Sequence, residues 1–263
     1  MILLLDVGNT HTHLGLANNR RVVRQTVMPT PHWRRRDGLT AVRDFAGAHP
    51  VTGTVFCSVV PAVDPALQGG VKRAFGLAPL KLDHRTVRGV GVRYAKPDTI
   101  GADRLANAVA ARIRFGAPVV VVDLGTAVTL DVVDARGDYI GGIIGPGLSA
   151  MTDYLHEKTA LLPRVSVRAV RRTIGRNTEE AMLIGAVKGY RHLISGLLED
   201  LRHELASPEL PVVFTGGCAQ LVARGIAQVS AVAPDLTLEG LRLVWQAHHP
   251  TATTSRPRGG REG

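Results

Sequence analysis

The chain has 263 residues, 45% of them hydrophobic, enough for one large buried core or two modest ones. Aromatic residues make up only 4%, which argues against a binder built on stacked aromatic platforms, and no apolar run reaches the length of a membrane span. The net charge of +10, from 32 basic and 22 acidic residues, favours anionic partners, either phosphorylated small molecules or nucleic acid.

In chain order, Ile2 to Leu5 is an apolar run that meets Asp6 with no basic region before it, so it reads as a strand and not as a signal peptide. The turn Asp6-Val7-Gly8-Asn9-Thr10 follows, then the alternating segment 12–16, a strand near residues 21–26 and another at 54–60 closed by Pro61. The cluster Arg34-Arg35-Arg36, the arginines between residues 164 and 176, and the basic tail from Arg256 have no zinc spacing or nucleic-acid module beside them. They read as solvated surface, and nucleic-acid contact is the weaker expectation. Cys57 and Cys218 lack a Cys-x-x-Cys partner, which fits two buried reduced thiols in a cytoplasmic protein. His11-Thr12-His13 places both rings on one side of a strand, at exposed positions; no histidine pair has metal-site spacing.

A helix is expected over residues 103–115. After a break near 115–118 the opening pattern returns as Val120-Val121-Val122-Asp123-Leu124-Gly125-Thr126, followed by Val128-Thr129-Leu130-Asp131-Val132. Asp6 and Asp123 stand almost half the chain apart, and self-similarity at so long a period points to duplication. The turn 134–137, a strand at 139–144, helices at 179–203 and 238–248, and a strand at 212–215 complete an α/β chain of two similar lobes. The expected division is residues 1–116 and 117–249, with a disordered polar tail at 250–263. Gly141 to Gly147 reads as a hinge or a substrate-side loop.

Each repeated unit is a buried strand, an Asp-x-Gly turn with a threonine, and a second strand. Glycine lets the backbone approach a phosphate, turn amides and the threonine hydroxyl donate to its oxygens, and the aspartate suits a divalent metal, directly or through water. One such turn merely closes a hairpin. Two in matching context resemble the actin-like ATPase and sugar-kinase superfamily, which implies two ribonuclease-H-like domains with an ATP cleft between them.

Between the hairpins lies Tyr94-Ala95-Lys96-Pro97-Asp98-Thr99-Ile100-Gly101-Ala102-Asp103-Arg104, which resembles the pantothenate-binding segment of type III pantothenate kinases with its Gly-x-Asp-Arg core. The opening hairpin, Asp123-Leu124-Gly125-Thr126, Gly141 to Gly147, Ile174-Gly175-Arg176-Asn177-Thr178 and Thr215-Gly216-Gly217 match that family in order, as does Leu238-Glu239-Gly240-Leu241. The resemblance implies ATP-dependent phosphorylation of pantothenate to 4′-phosphopantothenate, the first step of coenzyme A synthesis. It further implies a homodimer, a divalent metal such as Mg2+, and a monovalent cation, K+ or NH4+.

Carried onto this sequence, the resemblance assigns Asp6, Val7, Gly8, Asn9, Thr10, His11, Thr12, His13 and Thr126 to ATP, with Asp6 also near the divalent metal. Asp123 falls to the monovalent cation. Tyr94, Gly101, Ala102, Asp103, Arg104 and Thr178 fall to pantothenate, with Asp103 as general base. Many relatives carry lysine or another residue near His13, so it receives no catalytic role. By spacing alone Asp103 reads as the N-cap of the helix that starts there, and both roles stand open. Arg104 offers a planar fork to a carboxylate or phosphate. Asn177 and Glu180 form a capping-box pair, which is the local alternative for Thr178. Gly216 and Gly217 resemble adenosine-side glycines, and a plain strand-to-helix turn explains them nearly as well.

Two other classes compete. Members of the same family are named Bvg accessory factors and described as transcriptional regulators, and a regulator without catalysis would be expected to lose Asp6, Asp103, Asp123, Thr126 and Thr178, all present here. A kinase of the same superfamily acting on a sugar is the other, and the Gly-Ala-Asp-Arg segment argues against it.

Overall fold

The computed structural model describes residues 1–34 and 37–250, so Arg35, Arg36 and most of the expected tail lie outside the described residues. The first lobe runs β1 (Ile2–Val7), β2 (His11–Ala17), β3 (Val22–Pro29), α1 (Asp37–Ala46), β4 (Gly53–Ser58), α2 (Asp64–Phe75) and β5 (Leu80–Lys81). A short strand β6 (Gly91–Val92) and helix α3 (Ala102–Phe115) follow. The second lobe runs β7 (Val119–Leu124), β8 (Ala127–Val133), β9 (Asp138–Pro146), α4 (Ala150–Lys158), α5 (Thr178–Ile184), α6 (Tyr190–Glu204), β10 (Val212–Thr215), α7 (Ala219–Ala223), β11 (Ala231–Val232) and α8 (Leu236–His248). A single π-helical turn, Gly185–Gly189, joins α5 to α6.

The duplication is visible in the sheets. The first has the order β3-β2-β1-β4-β5 and the second β11-β10-β7-β8-β9-β6, so the same meander, then parallel crossover, is built twice. In each, the first hairpin is antiparallel and the central strand pairs in parallel with the strand after the helix.

The apolar runs of β1 and β7 are buried on both faces, as central strands with a parallel neighbour must be. Ile2 and Leu4 point to an inner core shared with Val119 and Val121, whereas Leu3, Leu5 and Val7 point outward under α1 and α2. Val120, Val122 and Leu124 do the same under α6. Each fully buried leucine of this kind contributes about 2 kcal/mol.

Helices α3 and α8 lie between the two sheets. Leu105, Ala106 and Ala108 to Ala111 of α3 are wholly buried, the mark of a helix covered nearly all round, and their small size lets α8 pack close. This layer departs from a clean division at 116/117. β6 precedes that point yet pairs with β9 of the second sheet, and α8 lies far beyond it yet packs on β1 and β4 of the first.

Several local expectations shift. The strand placed at 54–60 ends at Ser58, and the strand near 21–26 extends to Pro29. Gly141 to Pro146 is strand, not hinge or loop, because it pairs along β8 from Val132↔Gly141 to Ala127↔Pro146. Helices α1, α2 and α4 were not assigned from the sequence. Cys57 is buried as expected, while Cys218 is only partly covered; both are free thiols.

Candidate active site

Strand periodicity aims the acidic residues. On β1, Asp6 shares the face of Ile2 and Leu4; on β7, Asp123 shares the face of Val119 and Val121. Both carboxylates therefore project into the layer between the sheets, where α3 begins and carries Asp103 in its first turn. Gly101 is the N-cap of α3 and Asp103 its second residue, which corrects the reading of Asp103 as the cap. Its Oδ1 instead accepts the Arg104 amide at 2.8 Å, within the electropositive first turn.

Three carboxylates facing one another with little water strongly disfavour full ionisation. Burial pushes Asp6 up to about 7, reinforced by the charge of Asp103, and against a lowering contribution from the Cys57 thiol. Burial pushes Asp123 up to about 6, against the Asn107 amide, with Asp103 and Asp131 adding to the rise. Asp103 is raised by burial, partly offset by the Arg104 amide and charge.

Neighbours hold each carboxylate in place. Cys57, opposite Asp6 on β4, donates its thiol to Asp6 Oδ1 at 3.3 Å. Asn107, one turn after Asp103, donates Nδ2 to Asp123 Oδ2 at 2.9 Å, while its Oδ1 accepts the Thr237 hydroxyl of α8 at 2.8 Å. Thr237 thereby fixes which end of the amide faces the carboxylate. Gly216 has φ +89°, and a Cβ there would stand 2.5 Å from Asp123 Oδ1, so this glycine is required beside Asp123 and at that backbone angle.

At the hairpin tips, Gly8 donates its amide to His11 O and Gly125 to Ala127 O, both at 3.0 Å, so each glycine closes its turn with a backbone bond, the second turn being one residue shorter than the first. Asn9, Thr10 and Thr126 are exposed at these tips, as are His11 and His13 along the next strand. Partial desolvation by the surrounding protein, then the nearby His11, holds His13 below the usual imidazole range although its side chain reaches solvent. Val7 and Thr12 can face the cleft only through their backbone. Their side chains alternate to the outer face: Val7 is fully buried there, and the Thr12 hydroxyl bonds Thr30 and Trp33 Nε1, so neither side chain reaches the cleft.

On the other side of α3, Arg104 donates Nε to Asp131 Oδ1 at 2.6 Å. Tyr139 donates to the same oxygen at 3.1 Å, and Tyr94 lies edge-on to Tyr139 with ring centroids 6.1 Å apart. The methyl of Ala102 is turned into the core, leaving its backbone beside Gly101. Thr178 is exposed at the start of α5, capped by Asn177, whose side chain accepts from the Glu180 amide; Glu180 in turn accepts the Arg176 amide. Thr178 makes no hydrogen bond to the acidic cluster among the described residues.

Sequence reasoning missed Asn107, Cys57 and Asp131. Asn107 follows Asp103 by four positions and so shares its helix face. Thr129 and Asp131 share one strand face, and two polar groups at that spacing on a buried strand are a signal. Cys57 offered none, since its role comes from strand pairing.

Among the described residues no three His, Cys, Asp or Glu side chains gather closely enough to hold a metal ion alone. The fit is to a hard cation held by one or two carboxylates and completed by phosphate oxygens and water, as Mg2+ prefers. The clustered carboxylates supply the negative charge such a cation needs.

Two lobes of one topology, each aiming an aspartate from a glycine turn into a shared cleft, define the actin-like ATPase and sugar-kinase class. In agreement, a Sinorhizobium meliloti structure assigned as a 2-dehydro-3-deoxygalactonokinase superposes with a TM-score of 0.60 at 14% identity, covering 96% of this chain and 98% of that one. The type III pantothenate kinase family model matches residues 2–200. Type III pantothenate kinases of Akkermansia muciniphila and Thermomicrobium roseum are 44% and 39% identical, covering 92% and 95% of this chain and 96% and 98% of theirs. The chain belongs to the type III pantothenate kinase family.

Proposed function

We propose that this chain transfers the γ-phosphoryl group of ATP to the primary hydroxyl of pantothenate, giving 4′-phosphopantothenate and ADP, the first step of coenzyme A biosynthesis. The observation that carries this reading is the convergence of Asp6, Asp103 and Asp123 at the start of α3, between two Asp-x-Gly turns at equivalent places in the two sheets.

Phosphoryl transfer asks a protein chiefly to position the reactants and manage charge. The amides of the turn 8–10, with Asn9, Thr10, His11, His13 and Thr126, line the phosphate path. Bound with the nucleotide, a divalent metal would neutralise charge developing on the β- and γ-phosphoryl oxygens; Asp6 would hold it, directly or through water. Asp123 would hold K+ or NH4+. Asp103 accepts the proton of the pantothenate hydroxyl as the O–P bond forms, and its raised proton affinity makes it a better base than a free carboxylate. Arg104 meets the pantothenate carboxylate, with Tyr94 and the backbone of Gly101 and Ala102 along the chain of the substrate.

Purified protein with Mg-ATP should phosphorylate pantothenate and leave a panel of hexoses untouched. Excess chelator should end turnover, and K+ or NH4+ should support a higher rate than Na+, with Asp123→Asn erasing that difference. Preference for a sugar would overturn the substrate assignment, and a rate indifferent to monovalent ion would overturn the role of Asp123.

The stretch of chain around Thr178 carries a concentration of exposed apolar side chains. Ile144, Met151, Tyr154, Leu161, Ile174 and Leu193 cluster in β9, α4, α6 and the segment between, with Leu161 and Ile174 exposed by 91% and 80%. A homodimer that covers this face would bring Thr178 of one protomer toward pantothenate bound by its partner. Light scattering should give twice the chain mass at assay concentrations; a fully active monomer would defeat this arrangement. No helix among the described residues is long and apolar enough to cross a membrane.

A further inference from the structure

Asp131 on β8 is wholly buried and is not among the residues given a role above. Its two oxygens are fully engaged: Oδ1 accepts Arg104 Nε at 2.6 Å and the Tyr139 hydroxyl at 3.1 Å, and Oδ2 accepts the Thr129 hydroxyl at 2.8 Å. Arg104 is thus gripped at Nε, and its guanidinium carbon stands 5.7 Å from the Tyr139 ring centroid. The far edge of the fork is different. Arg104 Nη2 is buried and has no hydrogen-bond partner among the described residues. A desolvated, charged donor without an acceptor is costly unless a ligand supplies one. Gly142 is what lets the fork sit here, since a Cβ there would lie 3.0 Å from Nη2 and only 1.9 Å from the Leu130 carbonyl oxygen.

We infer that Asp131 is a positioning residue for substrate selection: with Tyr139 it locks Arg104 so that the Nη2 edge is presented to the carboxylate of the acceptor. The inference rests on the reading of Arg104 as the contact for that carboxylate. Asp131 does not touch the reacting atoms. Its contribution is to ground-state and transition-state binding alike, so its loss raises KM and leaves kcat nearly unchanged.

The test compares pantothenate with pantothenol, which keeps the reacting hydroxyl but carries CH2OH in place of the carboxylate. Asp131→Asn can still accept from Arg104 and Tyr139 and can donate to Thr129, but it removes the counter-charge. For this variant the KM of pantothenate should rise roughly 10- to 100-fold, the loss expected when a gripped contact group is released, with kcat within about threefold. The KM of pantothenol should barely move, so the preference for the acid collapses. Tyr139→Phe, which deletes one donor to Asp131 and keeps the ring, should shift the same ratio in the same direction by a smaller factor, and it decides the matter if Asp131→Asn does not fold. Equal KM increases for both acceptors, a fall in kcat alone, or an unchanged ratio in a folded variant would overturn the inference. Arg104→Gln separates the two levels. If it collapses the acid preference while Asp131→Asn and Tyr139→Phe do not, only the positioning role fails; if it too leaves the ratio unchanged, the assignment of Arg104 fails with it.

Discussion

Asp103→Asn is expected to lower kcat by at least about a hundredfold while melting almost as the wild type does and still binding ATP. Asparagine keeps the shape of the side chain, and its carbonyl oxygen can accept the Arg104 amide as Asp103 Oδ1 does at 2.8 Å. Because Gly101 is the N-cap, no capping bond is at stake. What changes in the fold is a carboxylate in the first turn, a dipole contribution of about 1 kcal/mol at most, opposed by the relief of burying one charge fewer. The amide, however, cannot take a proton from the attacking hydroxyl, and loss of a general base costs roughly 10²- to 10⁴-fold. The wild-type rate should also fall as pH drops through the raised pKa of Asp103, because the protonated carboxyl is no base. Stopped-flow turnover alongside calorimetric melting checks both. A variant with normal melting and most of its kcat would place the base elsewhere.

The second large effect is expected at Asp6. Asp6→Asn should reduce turnover roughly 10²- to 10³-fold, the size seen when a group stabilising transition-state charge is removed. The same change should make the ligand-free protein more stable at pH 8. In the folded chain Asp6 holds its proton up to about 7, against 3.8 as its unperturbed value. Between those pH values the folded state binds a proton that the unfolded chain lacks. The stability this contributes is complete below the lower value and is lost as pH rises through the upper one. Asp123, raised to about 6, adds a loss of the same sign over a lower window. Melting in chelator, without K+, should show the advantage of Asp6→Asn over wild type growing from pH 5 to pH 8, to on the order of a few kcal/mol. Mg-ATP should shrink the gap, since a cation that binds the ionised carboxylates stabilises the wild type alone. A wild type that gains on the variant with rising pH would contradict the charge assignment. Turnover and stability are opposed at this residue, and the cation reconciles them.

Much of this frame was legible along the chain because strand periodicity is local. An apolar run interrupted by one aspartate before a glycine turn, repeated after half the chain, determined β1, β2, β7 and β8. It also determined that Asp6 and Asp123 occupy equivalent places in two lobes. Alternation by itself would have turned Val7 and Thr12 away from the cleft, and the family's pattern hid that consequence. The Asn177 and Glu180 cap was legible for the same reason, as its partners lie within a single turn.

The tertiary structure alone decided what lies between the lobes. Nothing local to residues 236–248 says that this helix returns to the first sheet, beside α3, or that Thr237 orients Asn107 across 130 residues of chain. Nor does a strand aspartate announce an arginine 27 residues away as its buried partner. Both depend on which apolar faces find each other once two sheets exist, and that choice minimises exposed surface over the whole chain. The proton affinities of Asp6, Asp103 and Asp123 follow from it, because a carboxylate's charge becomes costly only when packing removes its water and brings another carboxylate near.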